Sequence, residues 1–259
     1  MTLERFTTSR PFLSAFGFLA IVVTVVLGIG AVNEVFLMGS LIQVAVVDSV
    51  LALTGIFFVF RLCWWKKAGY TAGIRWADVP LLVLPGAVAL LSLSSGIRVT
   101  APVTVLAFAA LTLVVGFAEE TWFRGLILTT LLPIGVLRAT VISAFFFAAP
   151  HLLNSLGGTW DPTFTMVDTV AAFGLGLTFA ALRLRTGSIW PLVSIHALFD
   201  FTSLVAVGGV EVHAQSLQVL ISSVIVGVVF AVYGLFLLRG VKDDVPKHRV
   251  FREGEAGKG

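Results

Sequence analysis

The chain of 259 residues is 58% hydrophobic and only 12% charged, with a net charge of +3. A soluble domain typically carries about 25% charged residues, so this composition excludes a water-soluble globule and indicates an integral membrane protein. The basic balance does not indicate a nucleic-acid partner, because the lysines and arginines are scattered through short connections and the C-terminal tail. The single cysteine, Cys63, excludes an internal disulfide and a multi-cysteine metal site.

Eight continuous apolar stretches are each long enough to cross a bilayer as a helix, which takes about 20 residues. They lack the alternation of polar and apolar residues that barrel strands show. The predicted fold is therefore all-α, a polytopic membrane protein with about eight transmembrane helices. The predicted spans are 11–32, 41–60, 79–97, 104–130, 135–156, 168–185, 188–208 and 217–238.

The predicted organisation is one transmembrane domain at 11–240, a polar head at 1–10 and a tail at 241–259. The tail is predicted to be disordered, because it is polar and rich in glycine. Of the 17 lysines and arginines, only Arg98 falls on the side opposite the termini, and Arg124 falls within a span. The positive-inside rule therefore predicts that both termini are cytoplasmic, and we expect a bacterial plasma membrane.

The fourth span carries charged side chains where the bilayer disfavours them, in the sequence EETWFR at 119–124. Ionisable groups inside a membrane are costly and usually mark function. Glu120 and Arg124 are four residues apart on one helical face, which predicts a two-pronged ion pair between them, structural or site-organising. Glu119 points about 100° away on a helix. It has no evident partner, so we interpret it as a general base that faces a cavity.

A histidine ends the fifth span, in the sequence FAAPH at 147–151. Pro150 is expected to kink the helix next to it, which favours a local cavity. Phe147 lies one turn before His151 and is expected to pack against the imidazole. A purely structural, hydrogen-bonded role for His151 stays open beside a catalytic one.

The seventh span contains His196 and Asp200, one helical turn apart. Gly187 is predicted to end the helix before them, and Ser188 is predicted to cap the next one. The two side chains either hydrogen-bond to each other or point together into the cavity that receives Glu119.

The other acidic residues carry less signal. Asp48 lies within the second span and has no evident partner. Glu34, Asp161 and Asp168 are among the residues predicted to be solvated in outer loops or at helix ends.

Two histidines and a glutamate in a low-dielectric pocket favour activation of water. Either Glu119, His151 and His196 hold a divalent metal, or Glu119 and His151 polarise the water directly. His196 can donate a hydrogen bond to the developing oxyanion, whereas Asp200 can do so only when protonated. The chain has no G-x-S-x-G, H-E-x-x-H or Walker sequence, so water rather than serine or cysteine is the expected attacking group.

The three motifs together resemble the CPBP (ABI) family of intramembrane proteases. EETWFR fits E-E-x-x-x-R, FAAPH fits F-x-x-x-H and HALFD fits H-x-x-x-(N/D), in this order over about residues 116–201. The family includes type II CAAX prenyl endopeptidases and bacteriocin-processing or immunity-type bacterial members. Asp200 departs from the asparagine of the prenyl-protease members. The resemblance implies that Glu119 and His151 activate water, that His196 and Asp200 shape the oxyanion site, and that Glu120, Arg124 and Phe147 organise it.

The sequence thus predicts an intramembrane endopeptidase that cleaves a peptide or a membrane-anchored protein in the lipid bilayer. A divalent metal such as zinc is compatible with the motifs, which do not require it. The alternative is a non-catalytic membrane scaffold or bacteriocin-immunity-type protein that uses the polar cluster for packing or partner binding. A proton-coupled transporter is a third reading, disfavoured because no inverted repeat is visible.

Overall fold

A computed structural model describes residues 3–155, 161–209, 217–239 and 241. All regular secondary structure in these ranges is helical, and the predicted all-α polytopic fold is confirmed. Of the predicted disordered tail, all but Val241 lies outside the described residues. The helices long and apolar enough to cross a membrane are Pro11–Phe36, Ser40–Arg61, Trp76–Ser95, Pro102–Ile134, Val136–Ser155, Pro162–Thr186, Trp190–Val207 and Leu217–Leu238.

Several of these spans are interrupted by short turns of 3₁₀ or π geometry, so the α-helical pieces are numbered separately. In chain order they are α1 (Leu3–Ser9), α2 (Pro11–Phe36), α3 (Ser40–Arg61), α4 (Val79–Leu91), α5 (Pro102–Glu120), α6 (Leu128–Leu131), α7 (Val136–Ala148), α8 (Pro162–Thr186), α9 (Trp190–Val207) and α10 (Leu217–Leu238).

Helix α8 begins six residues earlier than the predicted 168. The Asp161 carboxylate accepts hydrogen bonds from the backbone N–H groups of Thr163 at 2.8 Å and Phe164 at 3.2 Å. Pro162 occupies the first helical position, where its missing N–H costs nothing. This capping adds almost two turns, so Asp168 lies inside the helix and not at its end.

The connection between α8 and α9 follows the prediction at one end only. Gly187 ends α8 in the left-handed conformation, with φ of 70°. The predicted N-cap Ser188 is wrong by one residue, because the cap of α9 is Ile189. The Ser188 hydroxyl still accepts from the backbone N–H of Trp190 at 3.3 Å, so it contributes to the same turn.

The fourth span is a composite of 33 residues, in which a π-helical segment at Thr121–Ile127 follows α5 directly. All seven residues of this segment are buried. Two cross-helix hydrogen bonds hold it, from Trp122 Nε1 to the Leu51 carbonyl at 2.8 Å and from Ser143 Oγ to the Phe123 carbonyl at 3.0 Å. Single π turns inside helices frequently occur at functional sites, since they displace side chains from regular register.

Close approach between helices brings the charged residues together. A Cβ added to Gly116 on α5 would lie 3.0 Å from the Val193 carbonyl oxygen of α9. Only a residue without a side chain lets α5 and α9 approach this closely. Glu119 and Glu120 at the end of α5 therefore come within reach of His196 on α9.

The connection between α3 and α4 packs against the connection between α8 and α9. The Lys67 carbonyl accepts from Arg183 Nη2 at 2.7 Å, and the Ala72 carbonyl accepts from Ser188 Oγ at 2.6 Å. The Lys67 ammonium also pairs with Glu4 of α1 at 2.8 Å. An even number of spans separates these three segments from one another along the chain. They therefore lie at the same end of the bundle.

Candidate active site

Glu120 lies at the centre of a fully buried polar network. Its Oε1 atom is 3.1 Å from Arg124 Nη1 and 2.8 Å from His196 Nδ1. The predicted ion pair is therefore present, but the predicted two-pronged geometry is wrong. Glu120 Oε2 and the Nε and Nη2 atoms of Arg124 have no hydrogen-bond partner among the described residues. Glu120 Oε1 is also bound by His196, and the chain from Thr121 to Arg124 has π-helical geometry. The guanidinium and the carboxylate therefore do not align side by side.

Phe147 packs against three side chains of the candidate site, as the sequence predicted for one of them. The Arg124 guanidinium lies 4.1 Å from the centre of the Phe147 ring. The ring centres of His151 and His196 lie 5.6 Å and 6.0 Å from it. These cation–π and aromatic contacts hold the guanidinium and both imidazoles in addition to their carboxylate partners.

The second nitrogen of His196 faces two other carboxylates. Its Nε2 lies 3.6 Å from Glu119 Oε2 and 3.7 Å from Asp200 Oδ2. Both distances exceed a normal hydrogen bond, so the direct His196–Asp200 hydrogen bond considered from the sequence is absent. The side chains of Glu119 and Asp200 are 27% and 36% exposed, whereas that of His196 is 6% exposed.

His151 is paired with a carboxylate that the sequence analysis placed in solvent. Its Nδ1 lies 2.8 Å from Asp168 Oδ2, and both side chains are 28% exposed. The prediction for Asp168 is wrong because α8 begins earlier and carries this residue into the bundle. A carboxylate that accepts from Nδ1–H leaves the Nε2 lone pair of the imidazole available.

His151 itself follows the turn at Pro150. Helix α7 ends at Ala148, and a 3₁₀ helix at Ala149–Ser155 carries both residues. The helix type therefore changes from α to 3₁₀ next to the proline. The kink expected from the sequence therefore takes the form of a 3₁₀ turn.

Glu119 and His151 line one cavity of about 280 Å³. Phe147 and Pro150 line it as well, so the fourth and fifth spans converge as the sequence predicted. His196 and Asp200 are not among its lining residues. His196 lies next to the lining residue Glu119, with 3.6 Å between Nε2 and Oε2. The other lining residues are Val22, Val26, Gln43, Val44, Val47, Asp48, Leu51, Val115, Trp122, Phe123 and Asn154.

Tyr70 reaches this region from the connection between α3 and α4. Its hydroxyl hydrogen-bonds to Thr121, the first residue of the π-helical segment, and its ring packs against Phe117 and Trp190. Burial raises the pKa of Tyr70 to about 12, so the hydroxyl keeps its proton at neutral pH. The sequence carries no signal for this contact, because Tyr70 lies in a polar connection with no periodicity.

The residues considered for a metal do not form a metal centre. Among the described residues, no group of three or more His, Cys, Asp or Glu side chains is arranged to hold a metal ion. Asp168 and Glu120 engage the Nδ1 atoms of His151 and His196 and leave the Nε2 atoms available. The predicted set of Glu119, His151 and His196 is nevertheless not grouped around one point that an ion could occupy.

Two carboxylates of the site were not assigned from the sequence. The Asp161-Pro162 pair is a helix-start signal, and it would have placed Asp168 within α8. Asp48 was noticed as a charged residue within a span, but nothing local indicated that it faces the same cavity as Glu119.

Comparison with known families agrees with the resemblance inferred from the motifs. Residues 101–202 match the family model described as type II CAAX prenyl endopeptidase Rce1-like. The match begins earlier than the predicted 116 and contains all three motifs. No curated protein matches the chain significantly. The segment that carries Glu119, His151, His196 and Asp200 is therefore similar to the Rce1-like type II CAAX prenyl endopeptidases.

Proposed function

We propose that this protein is an intramembrane endopeptidase that hydrolyses a peptide bond with water activated by Glu119 and His151. The observation that carries the proposal is that these two side chains, from different spans of the segment that matches the Rce1-like family model, line the same cavity. The substrate is a peptide or a membrane-anchored protein, and both termini of the protease lie in the cytoplasm of a bacterial cell.

In the first step, the water oxygen attacks the carbonyl carbon and its proton passes to a base. With Asp168 accepting from Nδ1–H of His151, the Nε2 atom of that imidazole is the acceptor. The Glu119 carboxylate orients the water as a second acceptor. Breakdown of the tetrahedral intermediate returns the proton to the leaving nitrogen as the C–N bond breaks.

The negative charge that develops on the carbonyl oxygen needs a donor. His196 is held by Glu120 through Nδ1, so its Nε2–H is the donor when the ring carries both protons. Asp200, 3.7 Å from that nitrogen, orients the ring when ionised and donates only when protonated. Arg124 and Phe147 act as positioning residues, since they hold Glu120 and the two imidazoles.

Cleavage of a peptide library by the purified protein in lipid nanodiscs tests the proposal. Wild-type protein is expected to cleave, and Glu119→Gln and His151→Ala are each expected to lose about 10²–10⁴-fold in kcat/KM. Glu34→Gln is the matched control, because Glu34 is an exposed carboxylate on α2 that does not line the cavity. Full activity of Glu119→Gln would contradict the mechanism.

The same variants separate the protease from the scaffold reading. A catalytic Glu119 predicts an unchanged Tm in Glu119→Gln together with lost turnover. A lowered Tm without turnover in any variant would favour packing or partner binding. Glu119→Gln protein in native membranes is also expected to retain bound substrate, which mass spectrometry can identify.

A further inference from the structure

The cavity contains a second carboxylate that the proposed reaction does not use. Asp48 comes from α3, lines the same cavity as Glu119 and is only 6% exposed. It therefore differs from the carboxylates of the site that are already paired, Glu120 with Arg124 and Asp168 with His151.

Asp48 forms no hydrogen bond or ion pair with any part of the chain that the structure describes. Its carboxylate oxygens are not fully enclosed by protein atoms. Because Asp48 lines the cavity, they open into it. The ionisable groups around it include the carboxylates of Glu119 and Asp200 and the imidazole of His196, and His151 lines the same cavity. An unpaired carboxylate in such surroundings is costly unless a cation or a proton joins it.

The rest of the cavity wall is largely apolar. Valines and a leucine from α2, α3 and α5 line it together with the rings of Trp122, Phe123 and Phe147, and Gln43 and Asn154 add two neutral amides. A wall of this kind is complementary to a ligand with a flexible apolar stem and a cationic end, since the stem buries apolar surface and the end meets the carboxylate.

We propose that Asp48 binds the lysine or arginine side chain of the substrate and so sets the specificity of the cavity. The inference deepens the proposed function, because it names the substrate class of the same site. A neutral side chain of equal length would leave Asp48 buried and unpaired, so basic residues are bound in preference.

Binding of a small probe tests this proposal without any turnover. n-Pentylammonium mimics a lysine side chain, and n-pentanol is its neutral counterpart. In phosphatidylcholine nanodiscs, n-pentylammonium is expected to raise the Tm of wild-type protein saturably. The half-saturating concentration should rise about 30-fold or more in Asp48→Asn. Glu34→Gln, which removes an exposed carboxylate, should behave as wild type.

Three results of the binding experiment would overturn the proposal. The first is an equal response to the amine and the alcohol in wild-type protein. The second is loss of the response in Glu119→Gln with retention in Asp48→Asn, which would assign the cation to Glu119. The third is a Tm rise on adding phosphatidylethanolamine that depends on Asp48, which would make a lipid amine the occupant.

Peptide cleavage gives the second test. Wild-type protein is expected to prefer lysine or arginine over norleucine at one subsite. Asp48→Asn should lose that preference, so that its kcat/KM is the same for the lysine and the norleucine peptides. Equal slowing of all peptides would make Asp48 part of the general machinery and contradict a specificity role. If wild-type protein cleaves no peptide, the proposed protease function is contradicted. The binding of n-pentylammonium tests the cation site at Asp48 independently of that result.

Discussion

At the scale of single residues, the carboxylate at the Nδ1 atom fixes the tautomer and the ring orientation of each histidine in the site. Asp168 takes this position for His151 and Glu120 takes it for His196, both at 2.8 Å. A carboxylate acceptor selects the tautomer with a proton on Nδ1 and orients the ring, and the Nε2 atom is left for chemistry.

Removing the charge of Asp168 tests this role. Asp168→Asn is expected to lower kcat by about 100-fold or more with little change in KM, because the amide can also hold the wrong tautomer. Peptide cleavage measures the effect. Asp161→Asn on the same helix is the control, since asparagine also caps a helix and kcat should stay at the wild-type value. Equal kcat for Asp168→Asn and wild type would remove Asp168 from the mechanism.

The buried Glu120–Arg124 pair makes a prediction about stability. Arg124→Met leaves the Glu120 carboxylate without its cation and is expected to lower the free energy of unfolding by about 3–5 kcal/mol. The double variant Glu120→Gln/Arg124→Met should recover part of this loss, because no isolated charge is left behind. Reversible unfolding in mixed micelles measures both, and an equal loss in the single and double variants would rule out a charge effect.

At the scale of helices, glycines decide which spans touch. A Cβ on Gly174 of α8 would collide with the backbone of Gly227 on α10. This contact joins α10 to α8, and α8 in turn carries Asp168. The composition of either helix alone indicates a membrane span, while the packing of the pair depends on these small residues.

Gly174→Ala is therefore expected to destabilise the protein by about 1–3 kcal/mol, because the added methyl group forces α8 and α10 apart. A lower Tm in nanodiscs measures the loss. Gly28→Ala is the matched control, since nothing lies within 4 Å of a Cβ at Gly28. Equal Tm values for the two variants would show that the α8–α10 contact contributes little.

At the scale of the whole molecule, the distribution of basic residues predicts the orientation in the membrane. The native cysteine, Cys63, is exposed in the connection between α3 and α4, and that connection is tied to α1 and to the α8–α9 turn. One label at Cys63 therefore reports the side of this entire end of the bundle.

A membrane-impermeant maleimide is expected to label Cys63 in inside-out vesicles and not in right-side-out vesicles, because this end is predicted to be cytoplasmic. Cys63→Ser/Thr100→Cys moves the thiol to the exposed connection before α5 and should give the reverse pattern. Labelling of Cys63 from the outside would contradict the predicted orientation.

The sequence alone determined the membrane environment, the number of spans and the order of the three motifs. These depend on local composition and on the length of apolar runs, which each segment carries by itself. The pairing of Glu120 with Arg124 was also predictable, because the two residues are four apart on one chain segment.

Apart from the Glu120–Arg124 pair, tertiary structure alone decided how the charged groups are partnered. His151 meets Asp168 17 residues away, His196 meets Glu120 76 residues away, and Asp48 reaches the shared cavity from α3. No local pattern specifies such contacts, since they depend on where α8 begins, on the π-helical turn after Glu120 and on the close approach of α5 and α9. The sequence therefore supplies the reactive groups, whereas helix packing assigns each one its neighbour.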